Sequence, residues 1–196
     1  RMTGTATAGS GRWARVTRDI QRPDRIRTEF TIQGVTSIYA FDGERGWYVA
    51  PLEGVFDAAT MGAEDSLAAA GQAGIGGPLV NAADRGYRIG LAGRELVDGK
   101  DVYRVTVTPP AGPKRTLFLD AGSSLLVRAA STRSRPDGTW VELESDLGDY
   151  REIGGIMFPH SIRSRVRGRA DVLEIVVTGV ELDPPLDPLR FKPPPS

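Results

Sequence analysis

The fold of this chain is decided within residues 39–51, which read YAFDGERGWYVAP. Aromatic and apolar residues lead up to Asp42 and Gly43, two residue types that tolerate the backbone of a tight hairpin turn. A second aromatic run follows and ends at Pro51, which has no amide hydrogen to donate to a strand ladder. The stretch therefore predicts a strand, a turn and a second strand. It carries no nucleophile, metal-ligand set or phosphate loop, so it favours an aromatic sheet face used for binding rather than for chemistry.

The composition limits the classes of function. The 196 residues suffice for one domain with a substantial core, and we predict a single domain over residues 1–196. With 25 basic and 25 acidic residues the chain has no net field to attract nucleic acid, so nucleic-acid binding is not expected. The absence of Cys and the single His160 exclude thiolate chemistry and a metal cluster built on histidines. We expect no cofactor and no metal.

The start of the chain suggests a longer precursor. The sequence opens at Arg1, and a run typical of a strand follows at once from Met2 to Ala8. We expect that a secretion signal, and also a first helix, preceded Arg1. No apolar run approaches the ~20 residues that a membrane-spanning helix needs.

Most of the chain alternates between apolar and polar residues, the pattern of strands with one buried face. Ile26, Thr28, Phe30 and Ile32 fall on one face of a predicted strand, with charged or polar residues between them. Similar alternation returns around residues 103–108, 116–119, 141–144 and 173–177, and turn signals recur between the runs. We predict an antiparallel meander of about ten strands.

One segment, residues 57–84, departs from this pattern. It is rich in alanine and poor in β-branched residues, and Gly74 to Gly77 precede Pro78 within it. We predict a helix, a glycine hinge and a short second helix, which together act as a lid. Its apolar members are Met61, Leu67, Ile75 and Leu79. At the other end of the chain, a proline-rich tail at residues 184–196 is expected to be extended.

The meander leaves a large apolar face to cover, and two folds would cover it. Two sheets can stack as a sandwich, or one strongly curved sheet can wrap around the helices. The helical insertion inside the meander favours wrapping, because its apolar residues need an apolar surface to pack against.

Catalytic constellations are weak. The nucleophile elbow, the phosphate loop, the dinucleotide fingerprint and the metalloprotease motif are all missing from the sequence. A hydrolytic site using Asp146, Asp149 and His160 is one alternative, but solvation of the carboxylates and a hydrogen-bonded ring for His160 explain these residues without chemistry. We expect that the chain is not an enzyme.

A row of arginines is the most distinctive charge pattern. At a spacing of two, all four point from one face of one predicted strand: Arg163, Arg165, Arg167 and Arg169. If the preceding hairpin turns near Gly154, Glu144 lies opposite Arg163 and Glu142 opposite Arg165, which gives a ladder of salt bridges. The other interpretation is a basic patch for anionic lipid headgroups or for a partner protein.

Several short motifs together resemble one family. They are the run from Arg22 to Arg27, the run from Phe41 to Pro51, Gly77-Pro78-Leu79, Leu119-Asp120, the run from Gly148 to Arg151, Phe158-Pro159, and Arg190-Phe191-Lys192. In this order and spacing they resemble the bacterial outer-membrane lipoprotein-sorting, LolA-like family. The resemblance implies a mainly β protein with a helical insertion, in which a curved antiparallel sheet forms a half-open β-barrel closed by helices. It also implies a periplasmic location and an apolar interior that holds acyl chains.

These observations give one hypothesis and one alternative. The hypothesis is a periplasmic carrier that binds acyl chains of lipids or lipoproteins in an apolar cavity for transport toward the outer membrane. The alternative is a lipid-sensing or protein-docking envelope module without transfer activity, whose partner is an inner- or outer-membrane protein. The predicted cavity lining is Trp13, Phe30, Ile32, Ile38, Trp47, Val105, Leu117, Leu119, Val141 and Leu143.

Overall fold

The computed structural model describes residues 1–9, 11–74, 77–134 and 139–194. Within these ranges the chain forms thirteen strands, one α-helix and two short 3-10 helices. The strands are β1 (Met2–Ala8), β2 (Trp13–Gln21), β3 (Arg25–Ile32), β4 (Val35–Phe41), β5 (Gly46–Ala50), β6 (Val55–Thr60), β7 (Arg88–Val97), β8 (Lys100–Thr108), β9 (Arg115–Asp120), β10 (Leu126–Ser134), β11 (Trp140–Ile153), β12 (Ile156–Val166) and β13 (Val172–Val180). The helix is α1 (Ala63–Ala70), and the 3-10 helices span Pro51–Glu53 and Pro188–Phe191.

The strands form one sheet made of two meanders, β1 to β6 and β7 to β13, which join where β1 lies beside β13. Their hydrogen-bonded order is β6-β5-β4-β3-β2-β1-β13-β12-β11-β10-β9-β8-β7, so β6 and β7 are the two ends. Neighbouring strands pair in antiparallel fashion. The chain is therefore mainly β with a helical insertion, as predicted. It has thirteen strands where about ten were expected.

Two compact units divide the chain. The first unit contains residues 1–7, 12–77 and 176–196, and the second contains residues 8–11 and 78–175. Each unit has its own buried apolar cluster. The assignment of one domain to residues 1–196 stays a prediction.

The segment at residues 57–84 differs from the predicted helical lid. Its first residues belong to β6, which pairs with β5 through Trp47 opposite Thr60 and Tyr48 opposite Ala59. Pairing to an existing sheet outweighs the helix propensity of the alanines there. The helix itself is short, Ala63–Ala70, and residues 78–86 form turns rather than a second helix. The predicted hinge includes Ile75 and Gly76, which lie outside the described residues.

The hairpin at residues 39–51 forms as predicted. The Asp42 carboxylate accepts hydrogen bonds from the backbone N–H groups of Glu44 and Arg45, at 2.9 and 2.8 Å. Gly43 has φ of 106°, a conformation that glycine adopts without a steric penalty. The turn therefore fixes the register of β4 against β5.

The tail is anchored at its only aromatic residue. Asp187 caps the 3-10 helix Pro188–Phe191 by accepting from the Leu189 amide at 2.9 Å. Phe191 is fully buried, whereas Leu189 is exposed. The predicted extended tail therefore contains a short helical turn that holds one side chain inside the first unit.

Candidate ligand-binding surfaces

One face of the first unit is apolar. Residues that pair across the strands lie on the same face, so the register assigns each side chain to one side of the sheet. We call the apolar side the first apolar face. Its members are Met2, Gly4, Ala6, Ala14, Val16, Arg18, Ile20, Ile26, Thr28, Phe30, Ile32, Val35, Ser37, Tyr39, Phe41, Gly46, Tyr48 and Ala50.

The helix α1 covers one end of this face. Ile26 and Phe41 are buried against Ala73, and Ala69 and Ala70 pack around them. Beside this cluster the Gly46 amide donates to the Ser66 hydroxyl at 2.9 Å. This end is consequently a filled core.

Three aromatic rings continue the first apolar face away from α1. Phe30 meets Tyr39 edge to face with ring centres 6.2 Å apart, and Tyr39 stacks on Tyr48 at 6.1 Å. The Tyr39 hydroxyl donates to Glu53 at 3.3 Å, and burial together with that carboxylate raises the pKa of Tyr39. The rings are only partly buried, so they offer apolar surface that the helix does not cover.

The first apolar face holds one cation. Arg18 lies between Val16 and Ile20 along β2 and directly opposite Thr28 on β3. Its Nε donates to the Thr28 hydroxyl at 3.2 Å. Removal of the guanidinium from water by burial lowers the pKa of Arg18.

The strand register corrects part of the predicted cavity. Phe30 and Ile32 lie on the first apolar face, but Trp13, Ile38 and Trp47 lie on the opposite face. Strand alternation defines which residues share a face within one strand, but a prediction across strands also needs their register. These five residues therefore do not line one surface.

Trp47 has a different role from the one predicted. Its indole Nε1 donates to the Phe191 carbonyl at 2.7 Å, and the Arg27 guanidinium lies 5.6 Å from the centre of its ring. Trp47 is buried beneath the tail, whereas Trp13 on the same face is 54% exposed. Trp47 thus anchors the C-terminal segment.

A network of charges surrounds this anchor. Asp19 is fully buried and accepts from Arg1 at 2.8 Å and from Arg190 at 3.2 Å. Arg190 also donates to Glu29 at 2.9 Å, and Arg27 donates to the Arg190 carbonyl at 2.8 Å. This face of the first unit is polar and is occupied by the chain's own tail.

The second unit also has one apolar face. Val105, Val107 and Leu117 are buried. Leu79, from the turns at residues 78–86 (the turn segment), and Tyr87, which follows them, pack against this cluster. We call this side of β7 to β12 the second apolar face. The register places all five predicted residues of this unit on it, namely Val105, Leu117, Leu119, Val141 and Leu143.

The second apolar face extends past the residues that cover it. Leu91 pairs with Val105 and is 71% exposed, and Ile89 pairs with Val107 and is 45% exposed. Tyr103, next along β8, is 36% exposed. A strip of uncovered apolar surface therefore continues from a buried core, and its residues Ile89, Leu91 and Tyr103 were not among the predicted cavity residues. The irregularity between Leu91 and Gly93 interrupts the alternation of apolar and polar residues along β7, and this hides the strip in the sequence.

The predicted arginine row forms a salt-bridge ladder on the opposite face of the second unit. Arg165 pairs with Glu144 at 3.2 Å and with Asp146 at 2.9 Å, and Arg167 pairs with Glu142 at 2.8 Å. The register is shifted by two residues from the one expected, because Asp146 lies opposite Arg163 and Glu144 opposite Arg165. Since β12 ends at Val166, Arg167 and Arg169 lie beyond the strand.

The predicted lid residues differ in their surroundings. Met61 donates its amide to the Gly46 carbonyl at 2.9 Å, immediately before α1. Leu67 on α1 is exposed, and Leu79 packs in the second unit. Ile75 lies outside the described residues.

The residues of the catalytic alternative have structural partners. Asp146 pairs with Arg128 and Arg165, and a hydrogen bond from Arg151 lowers the pKa of Asp149. His160 is buried, with Nδ1 3.0 Å from the Phe158 carbonyl. Among the described residues no group of three or more Asp, Glu or His side chains is arranged to hold a metal. Within the same ranges, no helix has the length and apolarity to cross a membrane.

Comparison with solved structures identifies the fold. A LolA superfamily protein from Nitrosomonas europaea matches with a TM-score of 0.68 at 15% identity, over 97% of this chain and 87% of the other. A domain from Vibrio parahaemolyticus, whose description relates it to outer membrane lipoprotein sorting, matches with a TM-score of 0.63 at 12% identity, over 97% and 88%. A DUF1329 family protein from Desulfovibrio piger matches with a TM-score of 0.62 at 14% identity, over the same shares.

The chain therefore has the LolA-like fold, and the predicted resemblance and fold class are confirmed. No family model and no curated protein matches the sequence. At these levels of identity the likeness describes the fold.

Proposed function

We propose that this chain is a periplasmic carrier that binds acyl chains of lipids or lipoproteins on its apolar faces for transport toward the outer membrane. The observation that carries the proposal is the uncovered strip on the second apolar face. Leu91, Ile89 and Tyr103 are exposed although they pair with, or lie beside, the buried Val105 and Val107. Exposed apolar surface that continues a core is typical of a binding site.

The chemistry of the strip suits a hydrocarbon chain. Ile89 and Leu91 are aliphatic and Tyr103 presents a ring beside them, with the Arg94–Asp101 ion pair next to that ring at one end of the strip. Each CH₂ group removed from water contributes about 0.8 kcal/mol, so a chain of many CH₂ groups binds without polar contacts. The likeness to a lipoprotein-sorting domain supports the same class of ligand.

The pairing of the arginines weakens the docking alternative. Arg165 and Arg167 are held by acidic residues of β11, so they are not a free basic patch. The salt-bridge interpretation accounts for them. We therefore keep the carrier as the single proposed function.

The carrier proposal is tested with Leu91→Glu, measured by displacement of a fluorescent fatty acid from the delipidated protein. A charge in the strip removes contacts worth at least two CH₂ groups, so we expect binding about tenfold weaker or more. Phe56→Glu is the matched control, because Phe56 is an equally exposed apolar residue at 74% but lies on β6 of the other unit. The control should bind like the wild type.

Two results would count against the proposal. Unchanged affinity in folded Leu91→Glu would show that the strip is not used. Equal losses in both variants would show a non-specific effect of added charge.

A further inference from the structure

Arg18 is the charged residue whose position the fold does not explain. It lies on the first apolar face, with Val16 and Ile20 as neighbours on its strand and Phe30 diagonal to it. A guanidinium in such a row loses water without gaining a low-energy contact from the apolar side chains around it. A charge in this position therefore calls for an anion.

No anion of the described chain reaches it. Arg1, Arg27, Arg128, Arg165 and Arg190 each form an ion pair with Asp or Glu at 3.2 Å or less. Within the described ranges Arg18 has no such pair, and its one side-chain hydrogen bond goes to a neutral hydroxyl, that of Thr28. No Asp or Glu of the described residues therefore neutralises the Arg18 cation.

Arg18 has hydrogen-bond donors that the described residues leave unused. A guanidinium carries five N–H donors, of which the Nε donor is used by Thr28. In the described part of the chain, no fully buried side-chain nitrogen lacks a hydrogen-bond partner. Within the described residues the two Nη groups have no hydrogen-bond partner, so neither is wholly shielded from solvent. Their planar fork matches a carboxylate or a phosphate that accepts two parallel hydrogen bonds.

We propose that Arg18 binds the anionic group of an amphiphile, a carboxylate or a phosphate, whose acyl chain lies along the first apolar face beside Phe30 and Tyr39. This inference rests on the proposed function and specifies its ligand: an acidic lipid rather than a neutral one. The desolvation that lowers the pKa of Arg18 supports it, because a paired anion would compensate for that loss of water.

The test compares probes that share one chain and differ in headgroup. The affinities of palmitate, hexadecyl phosphate and hexadecanol are measured for the wild type, Arg18→Gln and Arg15→Gln. Arg15 is the matched control, because it lies three residues away on β2, on the opposite face, and is exposed. We expect the wild type to prefer palmitate over hexadecanol by about tenfold or more, as a charge-assisted pair gives. Arg18→Gln should lose that preference while its affinity for hexadecanol stays the same, and Arg15→Gln should keep it.

The outcomes separate this inference from the proposed function. Binding of all three probes with no effect of Arg18→Gln would overturn the inference and leave the carrier proposal standing. Binding of none of them would contradict both. Inorganic phosphate, tested alone, distinguishes a lipid headgroup from a free anion: if it binds as tightly as hexadecyl phosphate, the acyl part of the inference is wrong.

A second variant keeps the test independent of folding. Arg18→Met removes an unpaired charge from an apolar row, so the urea midpoint of the ligand-free protein should stay the same or rise. A lower midpoint would assign Arg18 a structural role and would overturn the inference.

Discussion

The arginines on the two faces of the first unit differ in whether a carboxylate accompanies them. On the polar face, Arg1 and Arg190 share Asp19, which is fully buried. On the first apolar face, the one hydrogen-bond partner of the Arg18 side chain among the described residues is the Thr28 hydroxyl. Removing one partner of a buried ion pair destabilises the folded chain, whereas a charge without a carboxylate partner is available to a ligand.

Asp19 gives a prediction for stability. Asp19→Asn removes the charge that Arg1 and Arg190 share, and we expect a loss of about 2 kcal/mol in the free energy of unfolding at pH 7, the range for hydrogen bonds to charged groups. Urea denaturation measures this loss. Asp101→Asn, which breaks the exposed pair with Arg94, is the control and should leave the urea midpoint unchanged.

Asp19 also makes the stability of the folded chain depend on pH. Burial alone would raise the pKa of Asp19, but the hydrogen bond from Arg1 and the charges of Arg1 and Arg190 outweigh it and lower the pKa. A carboxyl with a lowered folded pKa contributes stability above its unfolded pKa and loses it as the pH falls through the folded value. Between about pH 5 and about pH 2 the wild type should therefore lose more stability than Asp19→Asn. Parallel pH profiles for the two proteins would contradict this assignment.

At the scale of elements, α1 lies close against β5 at Gly46. A Cβ atom added at Gly46 would lie 2.8 Å from the Met61 sulfur and 3.0 Å from the Ser66 Cα. Because Ser66 belongs to α1, such an atom would push the helix away from the sheet. The absence of a side chain at Gly46 thus sets the position of the one helix on the first apolar face.

Gly46→Ala is therefore expected to destabilise the chain by about 1–3 kcal/mol, the range for overpacked sites. Gly148→Ala on β11 is the matched control, because no atom lies within 4 Å of an added Cβ there. Reduced backbone freedom in the unfolded state should make the control neutral or slightly stabilising. Urea denaturation of the two variants gives the signs, and a stabilised Gly46→Ala would show that α1 is not held at this contact.

Much of the element structure follows from local sequence. The hairpin at Asp42 and Gly43 and the alternation at Ile26 to Ile32 were predictable because turn chemistry and strand alternation are local properties. The existence of strand β6 and the face of the sheet on which Trp47 lies were not predictable, since both depend on pairing with a neighbouring strand. The exposure of Leu91 was hidden for a related reason, because the irregularity at Gly93 interrupts the alternation of β7. Arg18 did carry a signal in the sequence, because it is an arginine at an apolar position of the alternation between Val16 and Ile20.

At the scale of the whole molecule, the same division of faces occurs in both units. Each has one apolar face that is only partly covered, by α1 in the first unit and by the turn segment with Leu79 in the second. The ion pairs around Asp19 in the first unit and those of Arg165 in the second lie on the other face, whereas the Arg94–Asp101 pair lies beside Tyr103 on the second apolar face. The equal numbers of basic and acidic residues are consistent with this pairing. Each apolar face therefore retains hydrophobic surface that the chain itself does not fully cover.

Binding on these faces predicts a ligand-dependent thermal stability. A ligand that binds only the folded state at 100 times its dissociation constant stabilises it by about 2.7 kcal/mol. For a chain of this size that corresponds to a rise in Tm of about 5–10 °C, at roughly 2–4 °C per kcal/mol. Palmitate below its aggregation limit should produce such a shift in a calorimetric scan. Octanoate at the same concentration should produce almost none, because it has eight fewer CH₂ groups at about 0.8 kcal/mol each. Equal shifts for the two acids would show that the headgroup alone is recognised, and no shift with either would contradict acyl binding.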